Sequence, residues 1–129
     1  MLNYLWVGLG GALGSVARWW FAGFVARHFG ETFPLGTLLV NVSGSFLIGF
    51  FATSTGTEGR WLVGPAGRNF FMAGVCGGYT TFSSFSLETL HLIQDDAWLH
   101  AGMNAVLGLT LCLCAVWLGV GAARRLGVS

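Results

Sequence analysis

Gly74-Val75-Cys76-Gly77-Gly78-Tyr79-Thr80-Thr81-Phe82-Ser83-Ser84-Phe85-Ser86-Leu87-Glu88 is the stretch on which the reading of this chain turns. It lies within Phe70 to Ile93, long enough to cross a bilayer, where about 20 apolar residues suffice for a helix. Yet its middle holds a glycine pair and six hydroxyl-bearing side chains. A helix surrounded by lipid gains nothing from that content. Gly77-Gly78 is a poor place for a continuous helix, because glycine loses the most backbone entropy when fixed and readily takes positive φ. A break is expected there, near residues 77–80. Broken backbone at membrane depth leaves N–H and C=O groups without partners, which is tolerated only where protein, water or an ion satisfies them. The break therefore implies a ligand or a wet cavity.

Beyond the break, helical spacing sets Thr81 and Phe82 on one side of Phe85, and Glu88 and Thr89 on the other. One face then combines two aromatic rings, several hydroxyls and a carboxyl, as a pore wall does. The plainer alternative is a packed seam, in which Ser and Thr bond the carbonyl one turn back and Phe fills space. Glycine pair, hydroxyl cluster and acidic residue together favour the pore wall.

The rest of the chain points to the same environment. Of 129 residues, 54% are hydrophobic and 9% charged, against roughly 25% charged in ordinary soluble domains. Mean hydropathy is +0.70, so the chain is expected to be a single all-α domain in a lipid bilayer. A formal charge of +1 with no lysine excludes the basic patch that nucleic acid requires. Cys76, Cys112 and Cys114 lie in apolar runs and form neither a disulfide framework nor metal-ligand spacing. His28, His91 and His100 are scattered and match no metal or catalytic pattern. No nucleophile–base pair is visible, and an enzyme is not expected.

Four apolar segments are predicted, over residues 2–25, 35–52, 70–93 and 98–123. The first has no basic leader and outruns a signal-peptide core, so it is expected to remain in the mature protein. Its Gly10-x-x-x-Gly14 and Gly11-x-x-x-Ser15 spacings suit close helix contact. Gly8-Leu9-Gly10-Gly11-Ala12-Leu13-Gly14, with Glu31 downstream, loosely resembles a dinucleotide-binding turn. That turn needs a βαβ context, and the membrane-length runs that follow exclude it. Arg18 within the first segment must face protein, water or the interface, since an arginine at the bilayer centre costs roughly 2.5–3.5 kcal/mol on translocon scales. In an aqueous vestibule it would concentrate anions. The second segment carries Thr37, Asn41 and Ser45 at i, i+4 and i+8. An asparagine at membrane depth must find partners, either in a neighbouring helix or by offering its amide N–H to something passing. On the fourth segment Asn104, Gly108 and Cys112 share a stripe. Four spans put both termini and the 53–67 linker on one side with Arg60, Arg68, Arg124 and Arg125, against Arg27 on the other. Positive-inside bias alone would place that side in the cytoplasm.

Gly77-Gly78-Tyr79-Thr80-Thr81-Phe82-Ser83-Ser84-Phe85-Ser86-x-Glu88, Gly36-Thr37-Leu38-x-x-Asn41-x-x-Gly44-Ser45-Phe46 and Gly10-Gly11-x-x-Gly14-x-x-x-Arg18 together closely resemble the bacterial fluoride channel family known as CrcB or Fluc, over essentially the whole length. The resemblance implies an antiparallel, dual-topology homodimer of four-helix subunits in the bacterial inner membrane, with the third helix broken mid-membrane and two fluoride pores along the interface. It implies that Phe82 and Phe85 are pore phenylalanines, that Asn41 donates to the anion, and that Ser83, Ser84 and Thr37 supply hydroxyls near the path. Arg18 and Glu88 match vestibule or pore-mouth positions. The carbonyls of Gly77 and Thr80 from both subunits match a central structural Na⁺ site. Two departures stand out: Asn104 and Gly108 occupy positions where the family often has tyrosine and serine, and the four-to-one arginine distribution is lopsided for dual insertion. The implied function is passive export of fluoride that entered as neutral hydrogen fluoride, which protects the cell from fluoride. A proton-coupled carrier relaying through Glu88 and a non-conducting structural subunit are the alternatives.

The chemistry agrees with the resemblance. Fluoride is small and strongly hydrated, so a pore must replace its water with donors while still releasing it. Hydroxyl and amide groups donate, and the positive edge of a phenylalanine ring accepts an anion without the fixed cation that would trap it.

Overall fold

The computed structural model describes residues 1–128, and every regular element among them is helical. Helix α1 runs Leu2–Phe29, four residues beyond the expected end of the apolar run. Arg27 and His28 sit in its last turn, where positive charge favours the helix C-terminus. Gly30 stops it at φ 80, its N–H donating to the Ala26 carbonyl at 2.9 Å. Helix α2, Leu35–Ser54, begins directly after Pro34. At its end the hydroxyls of Thr53, Ser54 and Thr55 each donate to the carbonyl four residues back, so polar residues extend the helix past the expected Ala52.

The third span is composite. Helix α3 (Pro65–Arg68) continues into a π-helical segment, Asn69–Cys76, and then α4 (Gly77–Tyr79); Thr80 and Thr81 are extended; α5 (Phe82–Gln94) resumes the helix. Helix α6, Trp98–Arg125, completes the fold. The break therefore falls at Thr80–Thr81, and the glycine pair expected to hold it is helical, with Gly77 at φ −64 and ψ −38. Packing explains the displacement. A Cβ on Gly78 would lie 2.5 Å from the Gly11 carbonyl oxygen, so that glycine is spent on the approach of two helices.

The same device builds the bundle. Helix α1 lies against the π-helical segment and α4 through Gly10, Gly14 and Gly74, where added Cβ atoms would run into the facing backbone. Helix α2 lies against α6 through Gly49 and Gly119 in the same way. Lipid supplies no hydrophobic drive between helices, so close van der Waals contact across small residues is what holds such pairs. The fully buried apolar set is correspondingly small, including Val25, Leu38, Val40 and Cys76, whereas Trp19, Phe82 and Trp117 are 82%, 77% and 74% exposed. Helices α2 and α6 are each long and apolar enough to cross a bilayer. An all-helical chain with its large apolar side chains outward is a membrane protein.

The ends of the bundle differ in charge. The Trp6 ring packs edge-on to Phe70, Arg68 donates to Thr55, and the Arg60 N–H donates to the Val128 carbonyl at 2.9 Å. These contacts gather the start of α1, the linker after α2 and the C-terminus at one end, with four arginines and Glu58. Phe33 against His100 closes the other end, which carries Arg27, Glu31, Asp95 and Asp96.

Candidate functional site

The break exposes backbone groups that helices normally satisfy for themselves, and side chains from distant helices take them up. The Cys76 carbonyl accepts from both the Thr80 N–H at 3.0 Å and the Thr80 hydroxyl at 2.9 Å. The Gly78 carbonyl accepts from Arg18 Nε at 3.1 Å. Asn41 treats Thr81 as a neighbouring strand would: the Thr81 N–H donates to Asn41 Oδ1 at 2.8 Å, and Asn41 Nδ2 donates to the Thr81 carbonyl at 3.0 Å. Thr81 then caps α5, its hydroxyl accepting from the Ser84 N–H at 3.2 Å, the usual role of a threonine ahead of a helix. Among the described residues, the carbonyl of the extended Thr80 receives no hydrogen bond.

Beside the break lies a cavity of about 290 Å³. Helix α2 gives it Asn41, Gly44 and Ser45; the broken span gives Gly77, Thr80, Thr81, Phe82 and Phe85; α6 gives Gly108 and Cys112. No charged residue lines it. The Phe82 and Phe85 rings stand 5.4 Å apart at 42°. Phe85 is fixed from behind. A Cβ on Gly108 would lie 2.5 Å from its ring, and its carbonyl accepts from the Thr89 hydroxyl at 2.8 Å. That hydroxyl in turn accepts from Asn104 Nδ2 at 2.9 Å, with Asn104 only 2% exposed.

A second cavity, about 250 Å³, lies between the end of α1, the Gly30–Pro34 turn, and Thr37 and Glu88. Thr37 donates to Glu88 Oε1 at 2.7 Å, while Oε2 is buried without a partner. The candidate residues thus divide. Asn41, Phe82, Phe85, Gly77 and Thr80 meet at the first cavity, and Thr37 pairs with Glu88 at the second. Ser83 is exposed, its hydroxyl 3.2 Å from that of Thr81. Ser84 is half-buried and engaged through its N–H. Neither serine lines either cavity, nor does Arg18.

Chemically, the first cavity offers an amide, hydroxyls and ring edges, a neutral set suited to an anion that must not be held by a fixed charge. The adjacent Thr80 carbonyl is a neutral oxygen donor, a type hard cations accept. No cluster of three or more His, Cys, Asp or Glu side chains occurs among the described residues. The α6 stripe was visible as Asn104, Gly108 and Cys112, but the part Asn104 and Gly108 play in seating Phe85 emerges only when the helices are assembled. Arg18 reaching a carbonyl 60 residues away had no signal in local spacing.

Comparison with known proteins gives a consistent result. The profile of the family described as CrcB-like protein, Camphor Resistance (CrcB), matches residues 5–120. A protein of Opitutus terrae named fluoride-specific ion channel FluC is 65% identical over 119 residues, covering 92% of this chain and 90% of that one. Proteins of the same name from Methylocella silvestris and Rhodospirillum rubrum are 57% and 56% identical, covering 92% and 94% of this chain and 90% and 95% of theirs.

Proposed function

The chain belongs to the CrcB family, and from that membership we propose that it is a fluoride channel, exporting the anion passively across the bacterial inner membrane. The observation that carries the reading is the uncharged cavity at the helix break, walled by Phe82, Phe85 and Asn41. Fluoride sheds water there against ring edges and the second amide hydrogen of Asn41, whose first is engaged by Thr81. The N-terminus of α5, beginning at Phe82 on the cavity wall, adds positive partial charge. Thr37, Ser83 and Ser84 lie along the continuation of this path, and Glu88 and Arg18 flank it. With no fixed cation in the cavity, the ion leaves as readily as it enters.

The working unit in this reading is an antiparallel homodimer with two pores. Its support is the exposed apolar surface around Phe82 and the openness of Gly77, where an added Cβ would find only Met72 O, at 3.7 Å. Nothing within the chain requires glycine there, whereas a second copy approaching this point would. Opposite insertion also sets the arginine-rich end of one copy beside the acidic end of the other. The unpaired carbonyl of Thr80 and that of Gly77 beside it on the cavity wall, doubled by a second copy, fit a structural Na⁺, which supplies the positive charge that keeps facing carbonyls from repelling one another.

Purified protein in liposomes tests the reading: it should pass fluoride as electrical current, exclude chloride and move no protons. A second reading, a proton-coupled carrier, is favoured by the unpartnered buried oxygen of Glu88. Fluoride movement that acidifies or alkalinises the lumen and carries no current would establish the carrier, and no fluoride movement at all would leave a structural subunit.

A further inference from the structure

Among the described residues Arg18 is the one guanidinium bonded at the break, and its position bears on which cation the break can hold. Helix α1 approaches α4 closely enough for the contact only because Gly14 and Gly78 lack side chains. Arg18 Nε then donates to the Gly78 carbonyl at 3.1 Å, and Gly78 is the neighbour of Gly77, which lines the cavity at the break together with Thr80. A site made there has neutral oxygen ligands, no carboxylate among its near neighbours, and a permanent positive charge one residue away. Carboxylates are what ordinarily offset the second charge of a divalent ion.

We infer that Arg18 is a specificity-determining residue for the cation site at the break: its charge restricts the carbonyls of Gly77 and Thr80 to a monovalent ion. The inference rests on the proposed Na⁺ site. One residue of chain and one coordination bond put the guanidinium within about 10 Å of such an ion. At that separation and an effective dielectric of ~20, each additional unit of cation charge is disfavoured by more than about tenfold, and two copies of the chain bring two guanidiniums.

Na⁺ and Ca²⁺ have nearly the same radius, so the comparison between them isolates charge. The experiment follows the thermal unfolding midpoint of the purified assembly as NaCl or CaCl₂ is titrated at constant ionic strength, since an ion that binds only the folded form raises that midpoint. The wild-type protein should be stabilised by Na⁺ at concentrations at least tenfold below those at which Ca²⁺ acts. Arg18→Gln should narrow or reverse that gap by tenfold or more, and Arg18→Lys, which keeps the charge, should preserve the wild-type order. Arg18→Met serves as a second neutral variant should Arg18→Gln fail to assemble. Equal response of the wild-type protein to the two ions, or an unchanged order in both neutral variants, would overturn the inference. A wild-type midpoint indifferent to Na⁺ would be a different result, removing the cation site itself.

Discussion

Replacing Asn41 by alanine removes both hydrogen bonds that hold Thr81, at 2.8 and 3.0 Å, and leaves an N–H and a C=O unpaired at membrane depth. Each stranded group costs about 1–3 kcal/mol, so the variant should lose roughly 2–6 kcal/mol, a large share of the ~5–15 kcal/mol that holds a typical fold together. Hydrogen exchange at the Thr81 amide reads the clamp directly, because local opening is what exposes that proton. Faster exchange at Thr81 with little change in α6 is the expected pattern, together with a fall in fluoride efflux from liposomes. Asn41→Asp separates geometry from charge. It keeps the acceptor for Thr81 N–H, turns the other oxygen toward the Thr81 carbonyl, and puts a negative charge on an otherwise uncharged cavity. For an anion ~6 Å away at an effective dielectric of ~20 the repulsion is roughly 3 kcal/mol, about a hundredfold in occupancy. Wild-type exchange and flux in Asn41→Ala would refute the claim that this side chain holds the break.

Phe85→Ile should cut fluoride flux at least tenfold while the protein still assembles, since isoleucine fills space but has no positive ring edge; undiminished flux would remove the ring from the mechanism. Gly108→Ala places a methyl 2.5 Å from the Phe85 ring, an overpacking that should cost about 1–3 kcal/mol and lower flux by moving the ring, measured by the unfolding midpoint and by efflux. Gly77→Leu meets open space within one chain, so it should leave helix content by circular dichroism unchanged while dimer is lost in size-exclusion chromatography with light scattering.

The membrane character of the chain was legible from composition, and the interruption of the third span from its hydroxyls and glycines. The point of interruption was legible only to within a turn, since it falls at the far end of the 77–80 stretch rather than at the glycine pair. Gly78 looked like a hinge because glycine tolerates unusual backbone, but it serves close packing on Gly11, a partner 67 residues away. The extended pair, Thr80 and Thr81, carries no local signal beyond the β-branching of threonine. Asn41 was legible as a polar group needing partners, but its pairing with both sides of one peptide unit depends on how α2 and α5 meet. Thr37 and Asn41 are aligned on one helix face, but that they line separate cavities, with the Thr37 hydroxyl hydrogen spent on Glu88, depends on how α2 meets the broken span. The π-helical turn before Cys76 left no trace in hydrophobic spacing, since nearly every residue there is apolar or small.

The unequal ends of the bundle have a consequence for direction. With four arginines gathered at one end and three acids at the other, each chain carries a lengthwise electric dipole. In the proposed antiparallel pair the two dipoles cancel, and the two pores taken together look the same from either side of the membrane. Such a pair would not rectify, so its summed current at equal and opposite driving force would be the same, with the direction of flow written entirely in the gradients the cell maintains.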